Sequence, residues 1–379
     1  MKSVIIFTSI SQFHTCKGEI HMISSIMPVL EVGNPSGFQQ KMQNAAAGAP
    51  TVIGAIGGSI TAGAKATVPE NRYINRIVQH WQATFPQSGT KLVNAGIGAT
   101  GSAVGAFRVC DDLLAHRPDI VVVEFAVNDG GAPAGSDRTE TYEAVVRRCL
   151  AAGAAVLLLF LPREDGRDAS ADQRRVGAHY NLPMVSVVDA VTPYLDNKSI
   201  KWTDYAADSV HPNDDGHELI ARHVCACLAA IRAAERCGAP AALPSPLTSD
   251  RYCDAQSLGS SRIAPVSYGA FVENSNVFVQ FRDGWVAEKP GNPIVFELYA
   301  RTVQLLILRS VARDAGYGTI CVETAHGTVQ FSVDARFPDG WGDYALPVCV
   351  LRADEVESVR ISLRCDAGRL VLLRVQAAM

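Results

Sequence analysis

A serine, a histidine and an aspartate occur in this sequence in the arrangement that a hydrolytic triad needs. Ser59 follows two glycines directly after the apolar run Val52–Ile56, and Asp208 lies three residues before His211. A serine hydroxyl is a weak nucleophile near neutral pH unless a histidine removes its proton and a carboxylate orients that histidine. The two segments together predict hydrolysis through a nucleophilic serine, with Ser59, His211 and Asp208 in these three roles.

Each of these residues also has an ordinary structural interpretation. Ser59 can be a turn serine or a helix cap, and His211 can be a surface histidine before a proline. Gly57 and Gly58 favour the nucleophile, because they let the backbone turn sharply and let a substrate approach closely. Asp208 supplies the acceptor that a catalytic histidine requires.

Three further polar residues are candidates for the same site. Asn128 follows a predicted buried strand, where its amide can donate to a developing oxyanion or simply form a turn. Asp129 can orient that loop, and it competes weakly with Asp208 for the role of triad acid. Arg108 is either a side chain in the cleft or an exposed helix arginine. We therefore treat Arg108 and Asp129 as candidate substrate-binding residues.

The elements predicted between residues 51 and 236 place these side chains at one edge of a sheet. Apolar segments alternate with segments of helical spacing, which indicates a parallel sheet covered by helices on both faces. Ligand sites in such sheets form beyond the carboxyl ends of the strands. The predicted strands are Thr51–Ile56, one beginning at Lys91–Val93, Ile120–Ala126, Ala154–Leu161 and Met184–Val188; the predicted helices begin near Tyr73 and cover 101–116, 138–152, 170–180 and 214–236.

The segment 51–236 resembles the SGNH (GDSL-like) hydrolase superfamily in four blocks that occur in the family's order. They are Gly57-Gly-Ser59, with glycine in place of the family's aspartate; Asn94-Ala-Gly-Ile-Gly-Ala-Thr100; Ala126-Val-Asn-Asp129, with alanine in place of glycine; and Asp208-Ser-Val-His-Pro212. The resemblance implies an α/β, flavodoxin-like three-layer α/β/α domain and an acyl-enzyme mechanism. It also implies an oxyanion hole formed by the Ser59 amide, the Asn128 side chain and the amide of Ala99, with Gly98 as the alternative to Ala99.

The character of the sequence changes at the Pro- and Ala-rich stretch 238–246. Beyond it, short strand-like segments separated by turn dipeptides predict a β-sandwich. We expect an N-terminal extension over 1–48 that packs on the main domain or is partly disordered, an SGNH hydrolase domain over 49–240, and a smaller β-sandwich over 247–379. The predicted sandwich strands are Asn276–Phe281, Ile294–Tyr299, Val303–Leu308, Thr319–Thr324, Thr328–Val333, Val348–Leu351, Val359–Leu363 and Leu370–Val375.

A β-sandwich behind an SGNH module resembles the carbohydrate-binding or lid domains of carbohydrate esterases. This resemblance implies a serine esterase that removes acetyl or other short acyl groups from an acetylated oligosaccharide or polysaccharide. Trp285, Tyr317, Trp341 and Tyr344 lie near predicted turns and can stack on sugar rings or belong to the core or edges of the sandwich. The alternatives are an O-acetyltransferase with the same triad, a lipid or short-chain carboxylesterase, and a non-catalytic sugar-binding protein.

The composition argues against several other classes. The 379 residues are 48% hydrophobic and 19% charged with a net charge of −4, so no basic excess suggests a nucleic acid or an anionic membrane as partner. The ten cysteines include no CxxC pair, and we expect neither a metal site nor another cofactor. His217 is interpreted as structural; the histidines interpreted as helix-surface residues are His80, His116, His179 and His223.

Two observations bear on location. Lys2 and the apolar run Ser3–Ile10 loosely resemble a signal peptide, but the run is short and ends without a clear cleavage site. Unpatterned cysteines in a chain of this length fit a reducing compartment better than a disulfide scaffold. We therefore favour a cytoplasmic location over secretion, and no apolar run near the predicted site is long enough to span a bilayer.

Overall fold

The computed structural model describes residues 22–131, 137–236 and 242–379. The chain forms two compact units: the first takes in the described residues up to Ser249, apart from Ala106–Arg108, and the second runs from Asp250 to Met379. The signal-like segment Lys2–Ile10 lies outside the described residues. No helix within the described ranges is long and apolar enough to cross a membrane.

The first unit is an α/β domain in which strands and helices alternate. Its elements, in chain order, are β1 (Val29–Glu31), α1 (Ser36–Ala46), β2 (Thr51–Gly57), α2 (Ser59–Ala62), α3 (Tyr73–Thr84), β3 (Thr90–Gly96), α4 (Ser102–Asp112), β4 (Ile120–Glu124), α5 (Ala126–Gly130), α6 (Arg138–Ala151), β5 (Ala155–Phe160), α7 (Ser170–His179), β6 (Met184–Ser186), α8 (Val187–Asp196), α9 (Trp202–Tyr205) and α10 (Asp214–Ala233).

The strands form one sheet in the order β1-β6-β5-β4-β2-β3, with β2 to β6 parallel and β1 antiparallel to β6. Successive residues of a strand point to opposite faces, and β4 and β5 are buried on both. Leu157 and Leu159 belong to the core formed with α3 and α10, whereas Leu158 between them lies against Gly177 of α7. The predicted three-layer α/β/α domain with a parallel sheet is confirmed.

The N-terminal residues contribute two elements that the sequence pattern did not predict. β1 adds an antiparallel strand to the edge of the sheet. Phe38, Met42 and Ala45 of α1 are buried at helical spacing in the same core as α3 and α10. Residues 22–48 therefore pack on the domain, which is one of the two alternatives for the N-terminal extension.

Two strands end earlier than predicted because a helix begins inside the predicted strand. Ala126 begins α5 and does not belong to β4. Val187 and Val188 belong to α8, because the Ser186 side chain accepts a hydrogen bond from the Asp189 amide at 3.1 Å and caps that helix. Both changes shorten the strand and bring the following helix closer to the carboxyl edge of the sheet.

The second unit is built from antiparallel strands. They are β7 (Gln256–Leu258), β8 (Val272–Asn274), β9 (Gly284–Ala287), β10 (Ile294–Arg309), β11 (Tyr317–Thr324), β12 (Gly327–Asp334), β13 (Tyr344–Ala367) and β14 (Leu370–Ala378). Their hydrogen-bonded order is β12-β11-β13-β10-β14-β9-β8, and β7 pairs with β14.

This sheet folds over on itself around one core. β10 carries bulges between Ala300 and Gln304, and the ring of Trp285 on β9 lies 5.1 Å from that of Phe296 on β10, although β14 separates the two strands in the sheet. The predicted β-sandwich is confirmed. Two pairs of predicted strands each form one long strand, β10 and β13. The predicted strand Asn276–Phe281 is wrong, because the segment turns around the Phe278–Phe281 bridge between β8 and β9.

Candidate active site

Ser59 lies at the end of a central strand, where the chain turns sharply into a helix. β2 ends at Gly57, and Ser59 is the first residue of α2. A Cβ on Gly58 would come within 2.0 Å of Oδ1 of Asn128, so any other residue would push that amide away. Asn128 lies on α5, directly after β4, which is the neighbour of β2. The carboxyl ends of two adjacent parallel strands thus place Asn128 next to the turn that holds Ser59.

His211 reaches Ser59 from the loop that precedes α10. Its Nε2 lies 2.8 Å from Oγ of Ser59, and its Nδ1 lies 3.0 and 2.9 Å from the two carboxylate oxygens of Asp208. The backbone amides of Val210 and His211 also donate to Oδ1 of Asp208, at 2.9 and 2.8 Å. The structure therefore joins Ser59, His211 and Asp208 in one chain of hydrogen bonds, and all three side chains are half-buried.

The groups around Asp208 keep its carboxylate ionised. Partial burial raises the pKa of Asp208, but hydrogen bonds from the amide and imidazole of His211 and from the Val210 amide outweigh it and lower the pKa to about 2. Nζ of Lys65 lies 3.7 Å from Oδ2 and adds positive charge. An ionised carboxylate in this position can accept the Nδ1–H of His211 across the neutral pH range.

The loop that follows β3 lies beside the same serine. A Cβ added to Gly98 would lie 3.9 Å from Cβ of Ser59. Ala99 has a φ of +57°, a left-handed conformation that is uncommon for alanine. Nδ2 of Asn94, near the end of β3, donates to the Thr61 carbonyl at 2.8 Å and ties the end of this strand to the turn that holds Ser59. The structure thus brings all the predicted oxyanion-hole residues to the neighbourhood of Ser59.

Comparison with known proteins agrees with this arrangement. Residues 55–219 match the GDSL-like lipase/acylhydrolase family. The structure is similar to that of a two-domain esterase active on acetylated mannans, with 30% sequence identity, a TM-score of 0.84, and coverage of 91% of this chain and 96% of the esterase. This chain belongs to the GDSL-like lipase/acylhydrolase family. It is accordingly a carboxylic ester hydrolase.

A second structure, of a two-domain esterase active on acetylated mannans co-crystallized with mannopentaose, is similar to this GDSL-like hydrolase to the same degree. The sequence identity is 30% and the TM-score 0.83, with 91% of this chain and 95% of the other covered. No curated protein matches the sequence.

The two candidate substrate-binding residues of this GDSL-like hydrolase are both buried. Oδ1 of Asp129 accepts from the Ser102 amide at 2.8 Å, and Oδ2 accepts from Nε2 of Gln173 at 3.0 Å. Burial raises the pKa of Asp129 to about 7. Arg108 on α4 is 1% exposed, so the alternative of an exposed helix arginine is wrong. The two bonded oxygens of Asp129 favour a role in fixing the loop after Asn128 over contact with a substrate.

The remaining histidines of the hydrolase follow the sequence interpretation only in part. His217 is buried; its Nδ1 accepts from the Tyr73 amide at 3.3 Å and its Nε2 lies 3.0 Å from the Ala64 carbonyl, as a structural histidine would. His223 is buried as well, 3.2 Å from the Ile26 carbonyl, so its interpretation as a surface residue is wrong. Among the described residues, no group of three or more His, Cys, Asp or Glu side chains is placed to hold a metal ion.

Three contacts around the site were not anticipated from the sequence. Nε1 of Trp202 donates to the Asp208 carbonyl at 2.7 Å, and Lys65 approaches the Asp208 carboxylate. Glu124, at the end of β4, is buried and accepts from the Thr61 hydroxyl at 3.0 Å. Of the residues in these contacts, only Glu124 could have been singled out from the sequence, because a charged residue at the end of an apolar strand needs polar partners.

Proposed function

We propose that this protein is a serine esterase that hydrolyses O-acetyl esters of carbohydrates through an acyl-enzyme. The observation that carries the proposal is the continuous hydrogen-bonded chain from Ser59 through His211 to Asp208, with 2.8 Å between Oγ and Nε2. A hydroxyl, an imidazole and an orienting carboxylate in this order are the groups that nucleophilic acyl transfer requires.

In the proposed reaction, Oγ of Ser59 attacks the acetyl carbonyl carbon while Nε2 of His211 takes the hydroxyl proton. Asp208 holds the Nδ1–H of His211, which leaves Nε2 free to accept that proton and stabilises the imidazolium that forms. The imidazolium then protonates the sugar oxygen, the sugar alcohol leaves, and the acetyl group stays on Ser59. A water molecule that His211 deprotonates attacks this ester, and acetate is released.

The negative charge that develops on the carbonyl oxygen requires donors beside Ser59. We assign this role to the Ser59 amide, the Asn128 side-chain amide and the backbone amide of Ala99, with Gly98 as the alternative to Ala99. The left-handed conformation of Ala99 supports this choice, because non-glycine residues with positive φ are concentrated at functional sites. Removing one donor of this kind typically costs ~2.7–4 kcal/mol of transition-state stabilisation.

A carbohydrate substrate is supported by an aromatic cluster on the second unit and by the activity of the similar esterase on acetylated mannans. Trp341 is 71% exposed, and its ring stacks on that of Tyr344 with 5.3 Å between centroids and 25° between planes. Phe337 meets both rings edge-on, at 5.9 and 5.5 Å. An ordered aromatic face held in solvent is suited to stacking on the C–H face of a sugar ring.

Arg309 supports this cluster from the neighbouring strand. Its guanidinium carbon lies 5.1 Å from the Phe337 ring centroid, and its Nη1 donates to the Tyr344 hydroxyl at 3.0 Å. Trp285 is buried in the sandwich core, so the core alternative is correct for that residue. Tyr317 is exposed, but the Arg336 guanidinium lies 5.0 Å from its ring centroid and covers one face.

Acetate release tests the proposal. Wild type and Ser59→Ala are assayed with acetylated mannan, xylan and pectin and with an aryl acetate, without an added acceptor. We expect release from an acetylated polysaccharide and a loss of about 10³-fold or more in the variant. Ser59→Ala activity within about tenfold of wild type would contradict the proposal. Parallel assays with an added sugar acceptor and with long-chain aryl esters separate the alternatives. Acetyl transfer only to the added sugar would indicate an O-acetyltransferase, and preference for long acyl chains would indicate a lipid esterase.

A further inference from the structure

A second acidic side chain lies close to the proposed nucleophile and has no part in the steps above. Glu124 is the last residue of β4; its side chain is 0% exposed, and its neighbours Val123 and Phe125 are also fully buried. The rest of the strand is apolar, and an apolar residue would complete it without the cost of removing a carboxyl group from water. The presence of this carboxyl group therefore needs a reason in its contacts.

The carboxyl group of Glu124 contacts the turn on both sides of Ser59. The Thr61 hydroxyl donates to Oε2 at 3.0 Å, and the nearby Gly58 amide, on the other side of Ser59, acts to lower the pKa of the carboxyl group. Oε1 has no hydrogen-bond partner among the described residues. The Thr61 hydroxyl lies in turn 2.9 Å from the Tyr73 hydroxyl on α3. The carboxyl group thus ties Thr61, two residues after Ser59, to the end of a central strand, and it lies near the amide of Gly58, the residue before Ser59.

The electrostatics show that this arrangement is costly. Burial raises the pKa of Glu124 to about 7, and the negative charge of Asp129 acts in the same direction, while the hydrogen bond from Thr61 and the nearby Gly58 amide oppose it. A buried carboxyl group that is hydrogen-bonded holds its partners strongly, because the bonds are made in a low dielectric and cannot exchange with water. Here the hydrogen-bonded partner is Thr61, two residues after the proposed nucleophile.

We propose that Glu124 is a positioning residue that holds the Gly58–Thr61 turn so that Oγ of Ser59 points at Nε2 of His211. The proposal rests on the proposed function, since it concerns the nucleophile of that reaction. Its physical basis is that β4 is the strand next to β2, so the carboxyl group fixes the turn after β2 to a neighbouring strand. A displacement of about 1 Å at a reacting group can cost about 10²-fold in rate.

The experiment compares variants of the full-length protein. Glu124→Gln keeps an oxygen that can accept from Thr61, whereas Glu124→Ala removes the carboxyl group and Thr61→Val removes its hydrogen bond. Thr51→Val is the matched control. Thr51 is buried, as Thr61 is, but it lies at the start of β2, the end of the strand away from Ser59. Its hydroxyl lies 2.9 Å from that of Ser88. The measurements are kcat and KM with an aryl acetate, the rate of labelling of the serine by a phosphonate ester, and Tm.

We expect Glu124→Ala and Thr61→Val to lower kcat and the labelling rate by about 10–100-fold while KM stays within about threefold of wild type. Glu124→Gln should stay within about threefold of the wild-type kcat, because it keeps the acceptor. Thr51→Val should lower Tm about as much as Thr61→Val and leave kcat unchanged.

The result that overturns the proposal is a lower Tm with an unchanged kcat in both Glu124→Ala and Thr61→Val. If Glu124→Ala does not fold, Thr61→Val decides alone, since valine has nearly the shape of threonine. An active Ser59→Ala would refute the proposed function. An inactive Ser59→Ala beside a fully active Thr61→Val would refute only the positioning role of Glu124.

Discussion

The amide of Asn128 lies where a side chain of residue 58 would be, since a Cβ on Gly58 would come within 2.0 Å of its Oδ1. Gly58 is also the residue immediately before the proposed nucleophile. The backbone at 58 and the proposed oxyanion donor at 128 therefore depend on each other, and a side chain at 58 must displace the amide.

The first prediction follows from this contact. Gly58→Ala and Asn128→Ala should each lower kcat by about 10²–10³-fold with an aryl acetate, because both remove the same oxyanion donor from its place. The double variant should be no slower than the slower single variant, since the two changes act on one interaction. Steady-state kinetics of the three variants measure this, and additive losses in the double variant would contradict it.

The two buried glutamates of the hydrolase domain titrate in opposite directions. Burial raises the pKa of Glu124 to about 7. Burial also raises the pKa of Glu143, but hydrogen bonds from Thr248, Tyr180 and Leu247 outweigh it, and the pKa is lowered. Compared with the unfolded chain, the folded protein therefore releases the proton of Glu124 at a higher pH and the proton of Glu143 at a lower pH.

The second prediction is a pair of opposite pH trends in Tm. Between pH 4.5 and about 7, folded Glu124 keeps a proton that the unfolded chain has released, so its contribution to the free energy of unfolding falls as pH rises. The Tm of Glu124→Gln relative to wild type should therefore rise as the pH rises across this window.

Glu143 should show the opposite trend. It contributes to the free energy of unfolding above its ordinary pKa of 4.5, and this contribution is lost as the pH falls below that value. Glu143→Gln should be less stable than wild type at pH 7 and approach it in acid; parallel trends in the two variants would contradict the assignment.

The features that the sequence predicts well are those with a strong local pattern. β4 and β5 are continuous apolar runs between helices, so the layer architecture follows from their spacing. Ser59 and the Asp208–His211 segment each lie in a loop or at a strand end, so their convergence follows from the rule for parallel sheets. Their contact is still a property of the folded chain, because Ser59 and His211 are 152 residues apart.

The features that the sequence does not predict depend on partners far away in the chain. β1 has three residues and exists because it pairs with β6. β13 continues through the polar segment 352–357 because β10 pairs with the residues of β13 that precede this segment and with those that follow it. The partners of Glu124 and Glu143, namely Thr61 and Thr248, likewise come from other segments, and no local periodicity encodes them.

The third prediction concerns the exposed aromatic cluster. Trp341→Ala should lower kcat/KM on acetylated polysaccharide by about fivefold to tenfold, because it removes the ring face proposed to stack on sugar. Hydrolysis of an aryl acetate should stay at the wild-type rate. Tyr299→Ala is the matched control, since Tyr299 is 70% exposed on β10 and lies outside the cluster. Equal losses on polymer in both variants, or none in Trp341→Ala, would count against a sugar-binding role.

The described part of the linker, residues 242–248 between the last helix of the hydrolase domain and the second unit, is hydrogen-bonded to the hydrolase domain. The Thr248 amide donates to Oε2 of Glu143 at 2.8 Å. Nη1 of Arg147 donates to the Pro244 carbonyl at 2.6 Å, and Nε2 of His179 lies 2.8 Å from the Ser245 carbonyl. These contacts favour a domain boundary after Ser249 over one at 240.

The fourth prediction compares two truncated chains, one ending at Ser249 and one at residue 240. We expect both to hydrolyse an aryl acetate, because every proposed catalytic residue precedes either end. The shorter chain leaves the Glu143 carboxylate without its bonds from Leu247 and Thr248. Hydrogen bonds to a charged group contribute ~1.5–3 kcal/mol each, so the Tm of the shorter chain should be lower by roughly 5 °C or more.

Glu143→Gln is the control for this comparison. It should reduce the difference in Tm between the two truncated chains, because a neutral amide loses less stabilising energy than a carboxylate when its hydrogen bonds from the linker are removed. Equal melting temperatures would mean that residues 241–249 do not stabilise the domain. An inactive but folded chain ending at Ser249 would mean that the first unit is not sufficient for catalysis.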